Sequence, residues 1–243
     1  MATDLETISM LRDSAARYAE DNYSFHQRWA VLEQPGAYSA QTWRDLAEFG
    51  FLALRLAEED GGLDGDAVAV GALMEIVGAR LLMEPFLASA VIGTGLLRKL
   101  GCAAQQQAWL PQLADGSLVL VLADEDDPAR PCVLQGDTLS GGKIGVLHGD
   151  IAGRLLVSAR DAGSGEAVVV SVAAGATGVR RSAYRLVDGR GAALFDFSAA
   201  QVERLQPDSG LGAARALDEV RDEARGALCA ESLGIVRSLV SIT

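Results

Sequence analysis

The chain has 243 residues, of which 49% are hydrophobic and 22% are charged, a balance typical of a globular protein with one large or two small domains. Its net charge of −12 argues against sequence-independent binding of nucleic acid. The sequence has no apolar run long enough to span a membrane, and its N-terminus does not look like a signal peptide, so we expect a cytoplasmic protein without a membrane segment.

Residues 1–116 have the pattern of a helical domain. Apolar residues at three- and four-residue steps predict a series of helices. These are residues 4–32, 40–49, 64–82, 86–100 and 103–115. Ser39 suits the N-cap of the second helix and Gly50 its end, whereas residues 58–63, EEDGGL, predict a turn. Trp43 and Trp109 are interpreted as core residues.

Residues 117–208 change character, because short apolar segments now alternate with turns rich in glycine and aspartate. The predicted strands are residues 118–123, 154–160, 166–172 and 191–198, and residues 133–142 predict a hairpin around Gly136 and Asp137. Short strands with this spacing favour a small antiparallel barrel or sandwich.

Residues 209–243 predict one long amphipathic helix. Six apolar residues follow helical steps and are expected to share one face: Leu217, Val220, Ala224, Leu228, Ile235 and Leu239. Such a face needs a surface to cover it, either from earlier parts of the chain or from another subunit.

Few residues suited to metal binding or nucleophilic catalysis are present. Cys102, Cys132 and Cys229 are scattered and odd in number, which gives no spacing for a metal site or a disulfide. Only His26 and His148 are available as histidine ligands or bases. We therefore predict no metal site.

Three stretches, in matching order, resemble the acyl-CoA dehydrogenase family. Residues 43–52 with 58–63 are similar to W-x-x-L-A-E-x-G … P-E-E-x-G-G, with Ala57 in place of the proline. Residues 106–116 resemble E-Q-K-x-x-W/Y-L-P-x-L-A-x-G, and residues 141–157 resemble N-G-x-K-x-W-I-T-N-G-x-x-A-D-x-x-x-V.

The resemblance implies an α+β fold. It would comprise an N-terminal helical domain (1–116), a middle β domain (117–208) and, over 209–243, the first helix of an incomplete C-terminal helical bundle. It also implies α,β-dehydrogenation of an acyl-CoA thioester with FAD, in the breakdown of fatty acids or steroid side chains. A carboxylate takes the α proton, and the flavin takes the β hydride.

In this family two stretches of the β domain contact the flavin, A-L-T-E-P-G-A-G-S-D and W-I-T. The resemblance assigns cofactor binding to Leu122, Ala123, Asp124, Gly145, Val146 and Leu147. Ala123, Gly145 and Leu147 replace the family's threonine, tryptophan and second threonine, which predicts a weakened flavin site. The four carboxylates at 124–127 would repel a pyrophosphate, and we interpret this run as a solvated acidic loop.

No residue of the sequence matches the family's base glutamate, so we predict no catalytic residue. Glu231 is the only acid near the apolar face of the last helix, and we interpret it as borderline or facing solvent. Arg180, Arg181 and Arg185 are interpreted as arginines of a solvated turn, with contact to CoA phosphates as the alternative.

Two explanations fit these departures. The sequence is either a fragment of a dehydrogenase or a non-catalytic subunit in a homo- or hetero-oligomer with a second acyl-CoA dehydrogenase subunit. An interaction protein that binds neither FAD nor acyl-CoA is the alternative, and an acyl-CoA oxidase or a flavin-dependent monooxygenase would share the layout.

Overall fold

The computed structural model describes residue 3, residues 5–207 and residues 209–243. Six α-helices form the first part of the chain: α1 (Leu5–Asn22), α2 (Phe25–Leu32), α3 (Ala40–Glu48), α4 (Ala67–Arg80), α5 (Thr94–Leu100) and α6 (Ala103–Ala114). Short 3₁₀ turns cover Pro35–Ala37 and Glu58–Asp60, and a π-helical segment, Phe86–Gly93, leads into α5. Among the described residues, none of the helices is long and apolar enough to cross a membrane.

The prediction of one helix over residues 4–32 is wrong, because a capping box at Ser24 starts a second helix; residue 4 lies outside the described residues. The Ser24 Oγ accepts a hydrogen bond from the Gln27 backbone N–H, and the Gln27 side chain accepts one from the Ser24 N–H at 2.6 Å. This exchange satisfies two N–H groups that an uninterrupted helix would have bonded along its axis.

The end signals of α3 are confirmed. The Ser39 Oγ accepts a hydrogen bond from the Thr42 N–H at 3.1 Å, and Gly50 adopts a left-handed φ of +75° directly after the helix. Trp43 and Trp109 are buried, as predicted for core residues.

Eight strands form one mixed sheet: β1 (Leu120–Ala123), β2 (Val133–Gln135), β3 (Thr138–Leu147), β4 (Arg154–Asp161), β5 (Ala167–Ala173), β6 (Val179–Arg185), β7 (Gly191–Gln201) and β8 (Glu203–Arg204). Their order is β6-β7-β3-β2-β4-β5-β8, with β1 paired to β4. The predicted hairpin is present as β2 and β3. Most of the strand pairing is antiparallel, as predicted, but β1 and β2 both pair in parallel with β4. The β2–β3 hairpin and the loop after it supply the crossover that parallel neighbours need.

Strand β6 corrects the interpretation of Arg180, Arg181 and Arg185 as turn residues. The strand pairs with β7 from Val179 to Arg185 and lies at the edge of the sheet. Charged side chains are common on edge strands because they discourage further strand pairing.

The last helix, α7 (Ala213–Ile242), packs closely along α4. At Gly78 a Cβ atom would collide with the backbone oxygen of Glu231, and at Gly234 it would collide with that of Glu75. These two glycines let the helix backbones approach more closely than side chains would allow.

This contact turns α7 so that only part of the predicted apolar face is covered. Leu217, Val220 and Ala224 are buried, but Leu228 and Leu239 are 43% and 58% exposed. Ala227, Glu231 and Gly234 take the covered positions instead, because α4 approaches the side of α7 that carries the small residues. Earlier parts of the chain therefore cover this face at Leu217, Val220 and Ala224 but leave it exposed at Leu228 and Leu239.

Candidate functional site

A cavity of about 250 Å³ lies where β1 and β3 meet α7. We call it the candidate cavity. Its lining residues are Ile92, Leu122, Asp124, Glu125, Ile144, Gly145, Val146, Leu147, Val220, Arg221 and Ala224. The sheet therefore supplies one wall of the candidate cavity and α7 supplies the facing wall.

The structure brings the two predicted flavin-contacting stretches together at this cavity. Leu122 and Asp124 line it from the end of β1, and Gly145, Val146 and Leu147 line it from β3. Ala123 does not, because successive side chains of a strand point to opposite faces and Ala123 lies fully buried in the core. A threonine hydroxyl at position 123 would therefore point into the core.

Gly145 stands where the family motif has tryptophan, and its backbone is suited to glycine. Its φ is +63°, in the left-handed region, within an irregularity of the β3–β7 pairing between Lys143 and Val146. A Cβ atom there would meet nothing within 4 Å. The backbone conformation of Gly145, and not crowding, is what opposes a large side chain at this position.

An ion pair joins the two walls at the rim of the candidate cavity. The Arg221 guanidinium, on α7, donates from Nε to Asp124 Oδ2 at 2.9 Å and from a terminal nitrogen to Asp124 Oδ1 at 3.0 Å. The Ser158 hydroxyl donates to the same Oδ1 at 2.8 Å. Burial raises the pKa of the Asp124 carboxyl, but the hydrogen bonds from Arg221 and Ser158 outweigh it and lower the pKa overall. Asp124 is therefore a charged, engaged group; we call it and Arg221 the rim ion pair.

The acidic run at 124–127 is not simply solvated, which corrects the interpretation drawn from the sequence. Lys143, only 1% exposed, places its Nζ 2.7 Å from Asp126 Oδ1 and donates to the Asp124 carbonyl, also at 2.7 Å. Asp127 pairs with Arg130 at 2.9 Å. Three of the four carboxylates therefore have a cationic partner, and Glu125 is the exposed member of the run.

Glu231 lies away from the candidate cavity and is not at the solvent surface, contrary to the interpretation from the sequence. It is 8% exposed, and its Oε1 lies 3.4 Å from a guanidinium nitrogen of Arg190. Its Oε2 is buried without a hydrogen-bond partner. The carboxylate is covered because it lies on the side of α7 that packs against α4.

The three arginines of β6 also lie outside the candidate cavity. Arg180 pairs with Asp196 at 2.6 Å, Arg181 donates to the Ala152 carbonyl at 3.2 Å, and Arg185 donates to the Gln34 carbonyl at 2.7 Å. The first contact ties the edge strand to β7, and the other two tie it to neighbouring loops.

Comparisons with known proteins agree with the resemblance. The family model of the acyl-CoA dehydrogenase N-terminal domain matches residues 6–117. The chain is 34% identical over 143 residues to the acyl-CoA dehydrogenase FadE28 of Mycobacterium tuberculosis, an alignment covering 57% of this chain and 40% of that protein. With FadE27 of the same organism it shares 31% over 160 residues, 63% of this chain and 42% of that protein.

A solved structure supports the same conclusion over nearly the whole chain. The G363A variant of the Tcur3481-Tcur3483 steroid ACAD matches with a TM-score of 0.85 and 28% identity, covering 98% of this chain and 65% of the other. Together these matches indicate the acyl-CoA dehydrogenase family. The ChsE4-ChsE5 complex of Mycobacterium tuberculosis has the same fold, with a TM-score of 0.89 at 22% identity. The aligned part spans about two fifths of the length of the curated relatives, 40% and 42%.

Acyl-CoA dehydrogenases are FAD-dependent oxidoreductases, but the residues of the candidate cavity do not fit the flavin ring. No aromatic or hydroxyl-bearing side chain is among its lining residues, and the rim ion pair joins its walls. Its volume of about 250 Å³ lies below the ~300–1,000 Å³ of ordinary ligand pockets. Sequence reasoning missed Arg221, although Val220 and Ala224 on the predicted apolar face already indicated which side of α7 meets the sheet.

Proposed function

We propose that this chain is a subunit of an FAD-dependent acyl-CoA dehydrogenase assembly and that its own candidate cavity holds no flavin. The observation that carries the proposal is the composition of the two walls. The β3 wall presents Gly145, Val146 and Leu147 where the family motif has an aromatic ring and a hydroxyl group. The lost ring and hydroxyl leave mainly backbone groups to hold a flavin from this wall.

The acids at the candidate cavity support the same proposal. The α proton of an acyl thioester needs a carboxylate that is free to accept it. Asp124 is committed to Arg221 and Ser158, and its pKa is lowered overall although burial opposes this. Glu125 is exposed to solvent, whereas the reacting groups of an enzyme site work where water is excluded. We therefore assign α,β-dehydrogenation of the acyl-CoA thioester to the flavin site of a second acyl-CoA dehydrogenase subunit.

Two structural neighbours support a mixed assembly. One is a Tcur3481-Tcur3483 steroid ACAD, and the other is a ChsE4-ChsE5 complex. By analogy, this chain would pair with a different subunit, and a thioester with a steroid side chain is one substrate to test beside a straight-chain thioester. A protein that takes part in neither flavin nor thioester chemistry is not favoured by these comparisons.

The test is coexpression with a second acyl-CoA dehydrogenase subunit of the same organism, followed by an assay of thioester-dependent reduction of an electron acceptor. We expect a stable complex that turns over, whereas this chain alone does not. Failure to copurify, or dehydrogenation by this chain alone, would contradict the proposal.

A variant assigns the flavin to one subunit or the other. Ala224→Phe places a ring in the candidate cavity of this chain, where Ala224 is 9% exposed. If the flavin sits in the partner subunit, the complex carrying Ala224→Phe keeps its flavin and its activity. Loss of flavin from a complex that still copurifies would place the cofactor in this chain instead.

A further inference from the structure

We infer that the rim ion pair prevents planar aromatic ligands from entering the candidate cavity between β1 and α7, and that breaking the pair opens this path. The inference deepens the proposed function, since it names the contact that would exclude a flavin ring from this subunit. It rests on how the pair is placed and held.

The pair connects two elements that are far apart in the sequence and share a buried cluster through Leu120 of β1 and Leu217 and Val220 of α7. Asp124 directly follows β1, and Arg221 lies on α7, 97 positions later in the sequence. Both residues line the candidate cavity, as do Leu122 on the sheet side and Val220 and Ala224 on the helix side. The two hydrogen bonds, at 2.9 and 3.0 Å, hold the two walls together at the rim.

Each partner is also fixed from its own side. Ser158 donates to Asp124 Oδ1 at 2.8 Å, and Lys143 donates to Ser158 Oγ at 3.0 Å from its buried ammonium. On the helix, Arg221 donates to Asp218 at 2.8 Å. A charge-assisted pair held from both ends loses little side-chain entropy when it forms, because neither partner is free to move away.

The spacing of the walls decides what can enter. A flat ring between two surfaces needs about 7 Å between the atoms on either side, since each contact takes about 3.5 Å. Atoms that are 2.9 Å apart leave no such gap at the rim. An isoalloxazine or a similar ring can pass there only if the pair breaks and α7 moves away from β1.

The test measures access to the candidate cavity with a cysteine probe. Ala224→Cys, in a chain that also carries Cys102→Ser and Cys229→Ser, places one thiol on the cavity wall; the remaining Cys132 is 1% exposed. The probe is an aromatic disulfide reagent, 5,5′-dithiobis(2-nitrobenzoate), whose reaction is followed by absorbance. We compare the labelling rate with the rim ion pair intact and after Arg221→Met or Asp124→Asn.

A second ion pair on the same helix provides the control. Arg225 pairs with Asp222, and their side chains are 70% and 74% exposed. Arg225→Met therefore removes an arginine of α7 without touching the candidate cavity. Arg221→Lys retains the charge with a different donor geometry and tests whether a cation at 221 is sufficient.

We expect Arg221→Met and Asp124→Asn each to increase the labelling rate about tenfold or more, because the ion pair then no longer restrains local opening at the rim. Arg225→Met should leave the rate unchanged, and Arg221→Lys should restore much of the slow rate. Equal rates with the pair intact and broken would overturn the inference, as would equal acceleration by Arg225→Met. Because labelling requires neither flavin nor a partner subunit, its failure is distinguishable from failure of the proposed function.

Discussion

Gly234→Ala is predicted to destabilise the protein even though alanine favours helices. In the folded chain a Cβ at position 234 would lie far inside 3.0 Å of the Glu75 backbone oxygen, whereas ordinary contact begins at 3.4 Å. The obstacle is backbone of α4, so no side chain can turn aside and the two helices must separate. Overpacking of this kind costs about 1–3 kcal/mol, and the gain in helix propensity offsets about 1 kcal/mol. Because the clash is with backbone, we expect a net loss of about 2 kcal/mol.

Gly226→Ala is the matched control, because Gly226 lies in the same helix with nothing within 4 Å of the added Cβ. It should gain about 1 kcal/mol from helix propensity. The two variants should therefore differ by about 3 kcal/mol, or about 6–12 °C in melting temperature for a chain of this size. Thermal unfolding followed by circular dichroism measures this difference. If Gly234→Ala is as stable as Gly226→Ala, the close approach of α4 and α7 is not as described.

Three further predictions concern buried groups and the β3 wall. Burial raises the pKa of Glu84 to about 7 from 4.5, so between these pH values the folded chain keeps a proton that the unfolded chain releases. About 3 kcal/mol of stability should therefore be lost as pH rises from 4.5 to 7. Glu84→Gln should remove most of this loss, measured by urea titrations at about pH 5 and pH 8. Burial, and then the charge of Arg190, lower the pKa of His148 to about 4 from 6.5, so the free energy of unfolding should fall by about 3 kcal/mol as pH drops from 6.5 to 4. His148→Asn, in which asparagine tolerates the φ of +54°, should reduce this fall. An unchanged fall in the variant would show that His148 is not its cause. Gly145→Trp should lower the free energy of unfolding by about 1–2 kcal/mol, because the backbone φ at this position is +63°. The double variant Gly145→Trp, Leu147→Thr should still bind no flavin, as measured by flavin absorbance after gel filtration. A double variant that retains the yellow flavin would refute this prediction.

Local signals predicted the parts of the fold that depend on neighbouring residues. Ser39 and Gly50 mark the ends of α3 because capping involves residues a few positions apart. Strand β6 was not predicted, because its three arginines are typical of a solvated turn and only the pairing with β7 makes the segment a strand. The division of the chain at residues 116 and 208 stays a prediction.

The candidate site was only partly predictable for the same reason. The resemblance located the two stretches that meet at the candidate cavity, but not the orientation of Ala123, which depends on the sheet. The pairing of Asp124 with Arg221 joins residues 97 positions apart and leaves no mark in the sequence. Glu231 is buried because Gly78 and Gly234 bring α4 close, a contact that periodicity does not reveal.

The flavin content of the purified complex tests the central claim most directly. The complex with the second acyl-CoA dehydrogenase subunit is saturated with FAD and freed of excess FAD by gel filtration, and the bound flavin is then counted against the amount of each subunit. We predict one flavin for each partner subunit and none for this chain, either in the complex or alone. Flavin bound in proportion to the total number of chains would contradict the claim.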